Sequence, residues 1–131
     1  MTMGVKDMIA AARAGISNLT VDEVAAELDD GAALLVDIRE PNERERQGVI
    51  PGAVAAERGM LEFYADPSSP YHREEFTPAR RIILYCASGG RSALAAATLE
   101  RMGYGNLAHL DGGLKAWKEA GRPVDTRGAT P

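Results

Sequence analysis

A single cysteine, Cys86, stands among the 131 residues. That excludes an internal disulfide and a multi-cysteine zinc site, and any resolving thiol has to come from another molecule. Histidine is nearly as scarce, with only His72 and His109. No apolar run approaches the roughly 20 residues needed to cross a bilayer. The first sixteen residues lack a long apolar stretch with a cleavage signature, so export is not expected. The expected location is cytoplasmic, a reducing compartment that suits a working thiol. Positive charge is in deficit, with 15 Lys and Arg against 19 Asp and Glu, a net charge of −4 and a pI near 5.2. This leaves no electrostatic footprint for nucleic acid. A membrane-surface role is disfavoured as well, because the amphipathic N-terminal segment carries only Lys6 and Arg13 as bases. Neither a metal nor a cofactor is expected.

What is present is the composition of a globular protein, 45% hydrophobic and 26% charged. The length favours one domain over residues 1–131, with about two-thirds of the unfolded surface buried. Val5, Met8, Ile9 and Ala12 recur at helical spacing, predicting a packing helix over the sheet at residues 3–14. Residues 16–19 read as a short edge strand. Thr20 and Glu23 form a capping box for the helix that follows, and Gly31 supplies its left-handed stop. Residues 33–39 are too uniformly apolar for a strand with one wet face and read as a central parallel strand. Glu40 and Pro41 open a short charged helix ending near Gly48, and residues 53–55 form a small strand. The segment 57–78 has weak periodicity and reads as a functional loop or a packed excursion. Residues 106–110 are the last strand, followed by a short helix with Leu114 and Trp117 on one face, Trp117 being core. The tail from 121 is expected to fray. Strands alternating with helices predict an α/β fold, an open and mostly parallel sheet of about five strands with helices on both faces.

The chain is organised around residues 82–92, where an apolar strand ends at Cys86 and passes through a small-residue turn into an Ala/Leu-rich helix. A sulfur there faces backbone N–H groups of the turn and the positive end of the helix dipole, which favours its anionic form. Ligands of open parallel sheets bind beyond the carboxyl ends of the strands, where Cys86 sits.

Three blocks resemble the rhodanese superfamily in its single-domain form, over about residues 16–122. They are Val36-Asp37-Ile38-Arg39-Glu40 through Gly48-Val49-Ile50-Pro51-Gly52-Ala53, then Tyr85 to Ser92, then Leu110-Asp111-Gly112-Gly113 with Trp117. Val49 stands where the family commonly has histidine. The resemblance implies a sulfurtransferase whose Cys86 takes a sulfane sulfur from thiosulfate or a persulfide and passes it to cyanide or a thiol, or to a protein sulfur acceptor. Ala87, Ser88, Gly89, Gly90, Arg91 and Ser92 would form the persulfide-binding loop, with Gly89 and Gly90 supplying unusual backbone angles. The donor is thiosulfate or a low-molecular-weight persulfide. The mercaptopyruvate branch is disfavoured because its loop lacks the arginine.

Several residues keep two readings. Arg91 either pairs with an anionic donor or makes a salt bridge at the helix start. Asp37 and Arg39 either belong to the site or form a polar network beneath the loops. Asp111 either belongs to the site or caps the last helix. Arg58, His72 and Arg73 are candidates for positive charge over the pocket, none of them favoured singly, and His109 reads as packing. Two other functions remain. One is a phosphatase or arsenate reductase, disfavoured because four residues separate Cys86 from Arg91 where the related phosphatases have five. The other is a non-enzymatic module that senses persulfide or binds partners.

Overall fold

The runs at 34–37 and 82–85 are buried at every residue, as strands covered on both faces must be. In the computed structural model, which describes residues 2–126, they are the two central strands of a five-stranded sheet. The strands are β1 (Asn18–Leu19), β2 (Leu34–Asp37), β3 (Val54–Ala55), β4 (Ile82–Tyr85) and β5 (Leu107–Leu110), in the spatial order β1-β5-β4-β2-β3. Every neighbouring pair is parallel, so the sheet is wholly rather than mostly parallel.

Among the described residues there are six helices, α1 (Val5–Gly15), α2 (Val21–Asp30), α3 (Pro41–Gln47), α4 (Leu61–Ala65), α5 (Gly90–Arg101) and α6 (Gly113–Glu119); α2 to α5 connect successive strands, α1 precedes β1 and α6 follows β5. The two-residue alternation of strand side chains sorts the core into two layers. Leu34, Val36, Ile82 and Leu84 pack with Leu61, Ala65, Ala95, Ala96 and Leu99 of α4 and α5. Leu35, Ile83, Tyr85, Ala108 and Leu110 pack with Val24, Ala25, Leu114 and Trp117 of α2 and α6. Local chemistry sets the boundaries. The Thr20 hydroxyl accepts from the Glu23 N–H at 3.2 Å while the Glu23 carboxylate accepts from the Thr20 N–H at 2.9 Å. Gly31 closes α2 at φ 74°.

Two expectations are corrected, for α1 and for the tail, and the two readings of 57–78 are resolved to one. Helix α1 packs against α5 rather than on the sheet and buries only Ala12, leaving Val5 and Met8 exposed. The segment 57–78 is a packed excursion. A short 3₁₀ turn (Arg58–Met60) leads into α4, Leu61, Ala65 and Phe76 are fully buried, and the Tyr104 hydroxyl donates to the Ala65 carbonyl at 2.7 Å. The described part of the tail is pinned. Val49 and Asp125 exchange backbone hydrogen bonds of 3.0 and 2.8 Å, and the Trp117 indole donates to the Pro123 carbonyl at 2.8 Å. The rest of the tail, 127–131, lies outside the described residues.

Candidate active site

Strand β4 ends at Tyr85, so Cys86 lies at the carboxyl edge of the sheet, where the chain turns into α5. Its sulfur accepts from the Gly89 N–H at 3.2 Å and the Ser92 N–H at 3.3 Å, and its own thiol proton faces the Ser92 hydroxyl at 3.5 Å. The residue is 1% exposed and free of any disulfide. The N–H groups of Ala87, Ser88, Gly90 and Arg91 have no acceptor among the described residues. A turn of this kind followed by a 12-residue helix is a concentration of donors suited to an anion.

The loop keeps its shape through Gly112 and Gly113 at the start of α6. Cys86 and Ala87 carbonyls accept from the Leu114 and Lys115 N–H groups at 2.9 and 3.0 Å. Gly113 sits at φ 62°, and a Cβ there would come within 2.6 Å of the Ala87 carbonyl and the Cys86 oxygen. Gly89 has φ 105°, as the turn requires. Gly90 is different: it is an ordinary first helical residue, and its missing Cβ makes room for Ile9 of α1, which would lie 3.1 Å away.

Asp37 and Arg39 form the buried polar network beneath the loops. The Arg39 guanidinium donates to the Asp37 carboxylate at 2.8 and 3.0 Å and to the Gly48 carbonyl at 2.7 Å. The Tyr85 hydroxyl donates to Asp37 at 2.8 Å and accepts from the Ile50 N–H at 3.1 Å. Burial, and then the Asp37 charge, raise the tyrosine pKa, so Tyr85 stays a donor. Arg91 makes two bonds of 2.7 Å to Glu43, which its guanidinium holds down to about 2. That pairing raises the Arg91 pKa, and the nearby Cys86 and Asp37 charges add to it. Arg91 thus takes the salt-bridge reading, from a place where it feels the sulfur's charge.

Four other candidates lie elsewhere. Arg58 pairs with Glu62 at 2.7 Å and borders a groove between α1 and α5. Arg73 binds Glu75 and the Ala55 carbonyl and lies over the Tyr64 ring, while His72 contacts the Phe76 carbonyl at 3.2 Å. These contacts hold the 57–78 excursion together and tie it to β3 and α5. Asp111 pairs with Arg13 of α1, and the residue at the α6 cap position is Gly112, so Asp111 is not the cap.

Two features escaped sequence reasoning. A cavity of about 350 Å³ abuts the loop, lined by Gln47, Ala87, Ser88, Leu114, Lys115 and Lys118. Neither lysine has an ion-pair partner among the described residues. The spacing 115/118 on a short helix after the Gly-Gly turn was the available signal for one cationic face. The second feature is His109, expected to be packing. It is fully buried, yet its Nδ1 lies 2.8 Å from the Ser92 hydroxyl and its Nε2 2.8 Å from the Asn18 carboxamide oxygen. Desolvation, helped by the Arg13 charge, pushes its pKa down to about 4. Among the described residues no group of His, Cys, Asp and Glu side chains is arranged to hold a metal ion, and no helix is long and apolar enough to cross a membrane.

Comparison with known proteins agrees with this geometry. A sulfurtransferase of Allochromatium vinosum is 35% identical over 109 residues, 83% of this chain and 92% of the relative. A solved Rhodopseudomonas palustris protein of unknown function, described as a possible tyrosine phosphatase, superposes with a TM-score of 0.91 at 45% identity, covering 95% of this chain and 96% of its own. The polysulfide-sulfur transferase homodimer of Wolinella succinogenes matches with a TM-score of 0.74 at 26% identity, over 91% of this chain and 85% of its own. The family model for the rhodanese-like domain covers residues 20–120. With its all-parallel sheet and its lone cysteine at the β4 edge, the chain belongs to the rhodanese-like sulfurtransferase family.

Proposed function

We propose that Cys86 carries a sulfane sulfur as a persulfide between an anionic donor and a thiophilic acceptor. The observation that carries this reading is the pair of backbone N–H bonds to the Cys86 sulfur, from Gly89 and Ser92, at the mouth of α5. The thiolate attacks the outer sulfur of thiosulfate or a persulfide, the donor S–S bond breaks, and sulfite or a thiolate leaves with the electron pair. The unpartnered N–H groups of Ala87, Ser88, Gly90 and Arg91 are the donors left to hold the negative terminal sulfur. Cyanide, a small thiol or a protein thiol then attacks that sulfur and Cys86 leaves as thiolate, a ping-pong sequence.

Lys115 and Lys118 supply the cation that Ala87 and Ser88 do not, at the cavity through which a donor would approach. This favours thiosulfate, a dianion, over a neutral donor. A reducing, cytoplasmic setting fits a carrier with no second cysteine. The phosphatase reading has less support, because Arg91, which would have to meet a phosphate, is held by both oxygens of Glu43.

Thiosulfate-to-cyanide transfer by Cys86→Ser and by Lys115→Ala/Lys118→Ala tests the proposal. The serine variant is expected to lose transfer by more than a thousandfold, and the double variant to raise the thiosulfate KM by roughly tenfold. Transfer by Cys86→Ser near the parent rate would refute the assignment of Cys86.

A further inference from the structure

The Cys86 thiol is 1% exposed, and the group placed to take its proton inside the protein is the Ser92 hydroxyl, 3.5 Å from the sulfur. The hydrogen-bond chain leading away from Cys86 has a defined direction. Asn18 donates through its Nδ2 to the Arg13 and Ile16 carbonyls at 3.0 and 3.2 Å, so its carboxamide oxygen is the atom facing His109. Nε2 of His109 must therefore carry a proton, which in a neutral imidazole leaves Nδ1 as an acceptor. The Ser92 hydroxyl lies 2.8 Å from Nδ1 and 3.3 Å from the Gly89 carbonyl, and it donates to the nearer acceptor, Nδ1. Its oxygen is then left to accept from the Cys86 thiol at 3.5 Å.

Sheet topology builds this chain. Asn18 and His109 are paired across β1 and β5, and His109 is paired with Leu84 across β5 and β4, two residues before Cys86. Ser92 comes from the first turn of α5. Ser92 and His109 are both fully buried, so the chain of polar groups is closed to solvent between Cys86 and the edge strand.

We propose that Ser92 and His109 are the proton relay of Cys86. As the thiol ionises, its proton passes to Ser92 Oγ and the hydroxyl proton passes to His109 Nδ1. The product is a thiolate that accepts from Ser92 O–H, which in turn accepts from imidazolium Nδ1–H. Nothing is oxidised, and no proton leaves the protein. When the acceptor takes the persulfide sulfur and Cys86 departs as thiolate, the relay still holds its counter-charge. Other charges face the pair from each side: Arg13 of α1, itself paired with Asp111, beside His109, and the Arg91–Glu43 pair beside the sulfur. His109 and Ser92 act through Cys86 and are positioning residues. The proposal rests on Cys86 being the reactive group, but its test needs no sulfur donor.

The test is the rate of Cys86 alkylation by iodoacetamide as a function of pH, read by intact mass on the full chain. Two coupled groups titrate together, so the parent rate is expected to rise in two limbs. His109→Gln keeps a hydrogen-bonding side chain that cannot take a proton, and Ser92→Ala cuts the link with little change of volume. Both are expected to lose the lower limb, slowing alkylation about tenfold near pH ~6. Asn18→Asp puts a carboxylate on Nε2–H and is expected to speed alkylation there instead, an effect that misfolding does not mimic because thermal melting is followed in parallel. Parent-like profiles in folded Ser92→Ala and His109→Gln would overturn the relay. Shifted profiles in a protein that takes no sulfur from thiosulfate or a persulfide would support the relay and sink the transfer reading.

Discussion

His109 has a cost that follows from its burial. Its folded pKa of about 4 lies below the ordinary value of 6.5, so the unfolded chain binds the proton more readily. The sign is therefore that of a group whose favourable state is deprotonated. Stability is complete above about pH 6.5 and falls as the pH drops toward 4. Between pH ~7 and ~5 the loss is roughly 2 kcal/mol from the linkage of a single site. Urea denaturation at the two pH values should show it, and His109→Gln should flatten it. Equal pH sensitivity in the two proteins would contradict the assignment. Glu43 acts lower down: its pKa is held near 2 by Arg91, so its contribution is present above 4.5 and is lost as the pH falls through about 2. The two acid losses are thus separated in pH. Little of this was legible in the sequence. A histidine in a strand announces an alternating side chain, but not that Asn18, 91 positions away, supplies its partner.

At the scale of elements, the loop depends on what lies beneath it. The turn Asp111-Gly112-Gly113 joins β5 to α6, and its glycines let the α6 N–H groups reach the Cys86 and Ala87 carbonyls. Gly113→Ala would drive a Cβ into that carbonyl from a residue already at φ 62°. It is expected to destabilise by about 2–3 kcal/mol and to depress sulfur transfer beyond the loss of folded protein. Gly103→Ala is the control. That residue also has a positive φ, 101°, but nothing lies within 4 Å of its missing Cβ, so about 1 kcal/mol of backbone strain and unchanged transfer are expected. Equal transfer losses from the two would mean that the α6 turn does not shape the loop. Local signals revealed the elements themselves: the Thr20–Glu23 box, the Pro41 helix start and the doubly covered runs at 34–37 and 82–85 all fold as their chemistry dictates. The role of Gly90 was misread because a helix N-terminus tolerates any residue, and only the arrival of Ile9 from α1 explains the glycine.

Across the whole molecule, the strand order converts a scattered sequence into one site. β4 lies between β2 and β5, so its carboxyl end is flanked by the Asp37–Arg39 network on one side and by His109 on the other. Helix α1 and the edge strand β1 then close the far end of the hydrogen-bond chain through Asn18. The parallel α/β architecture and the cysteine at a strand end follow from periodicity and turn chemistry. The side chains at long sequence separation do not, because their meeting depends on register. That is why Lys115, Lys118 and His109 came from the structure, while Arg58, His72 and Arg73 turned out to serve other contacts. The central claim is that one buried sulfur holds a second one, and mass reads it most directly. Intact mass of the full chain after incubation with thiosulfate is expected to rise by one sulfur atom, and to return to its starting value when cyanide is added, as covalent carriage requires. No mass gain with thiosulfate or with a glutathione persulfide, while Cys86 still alkylates, would contradict the account.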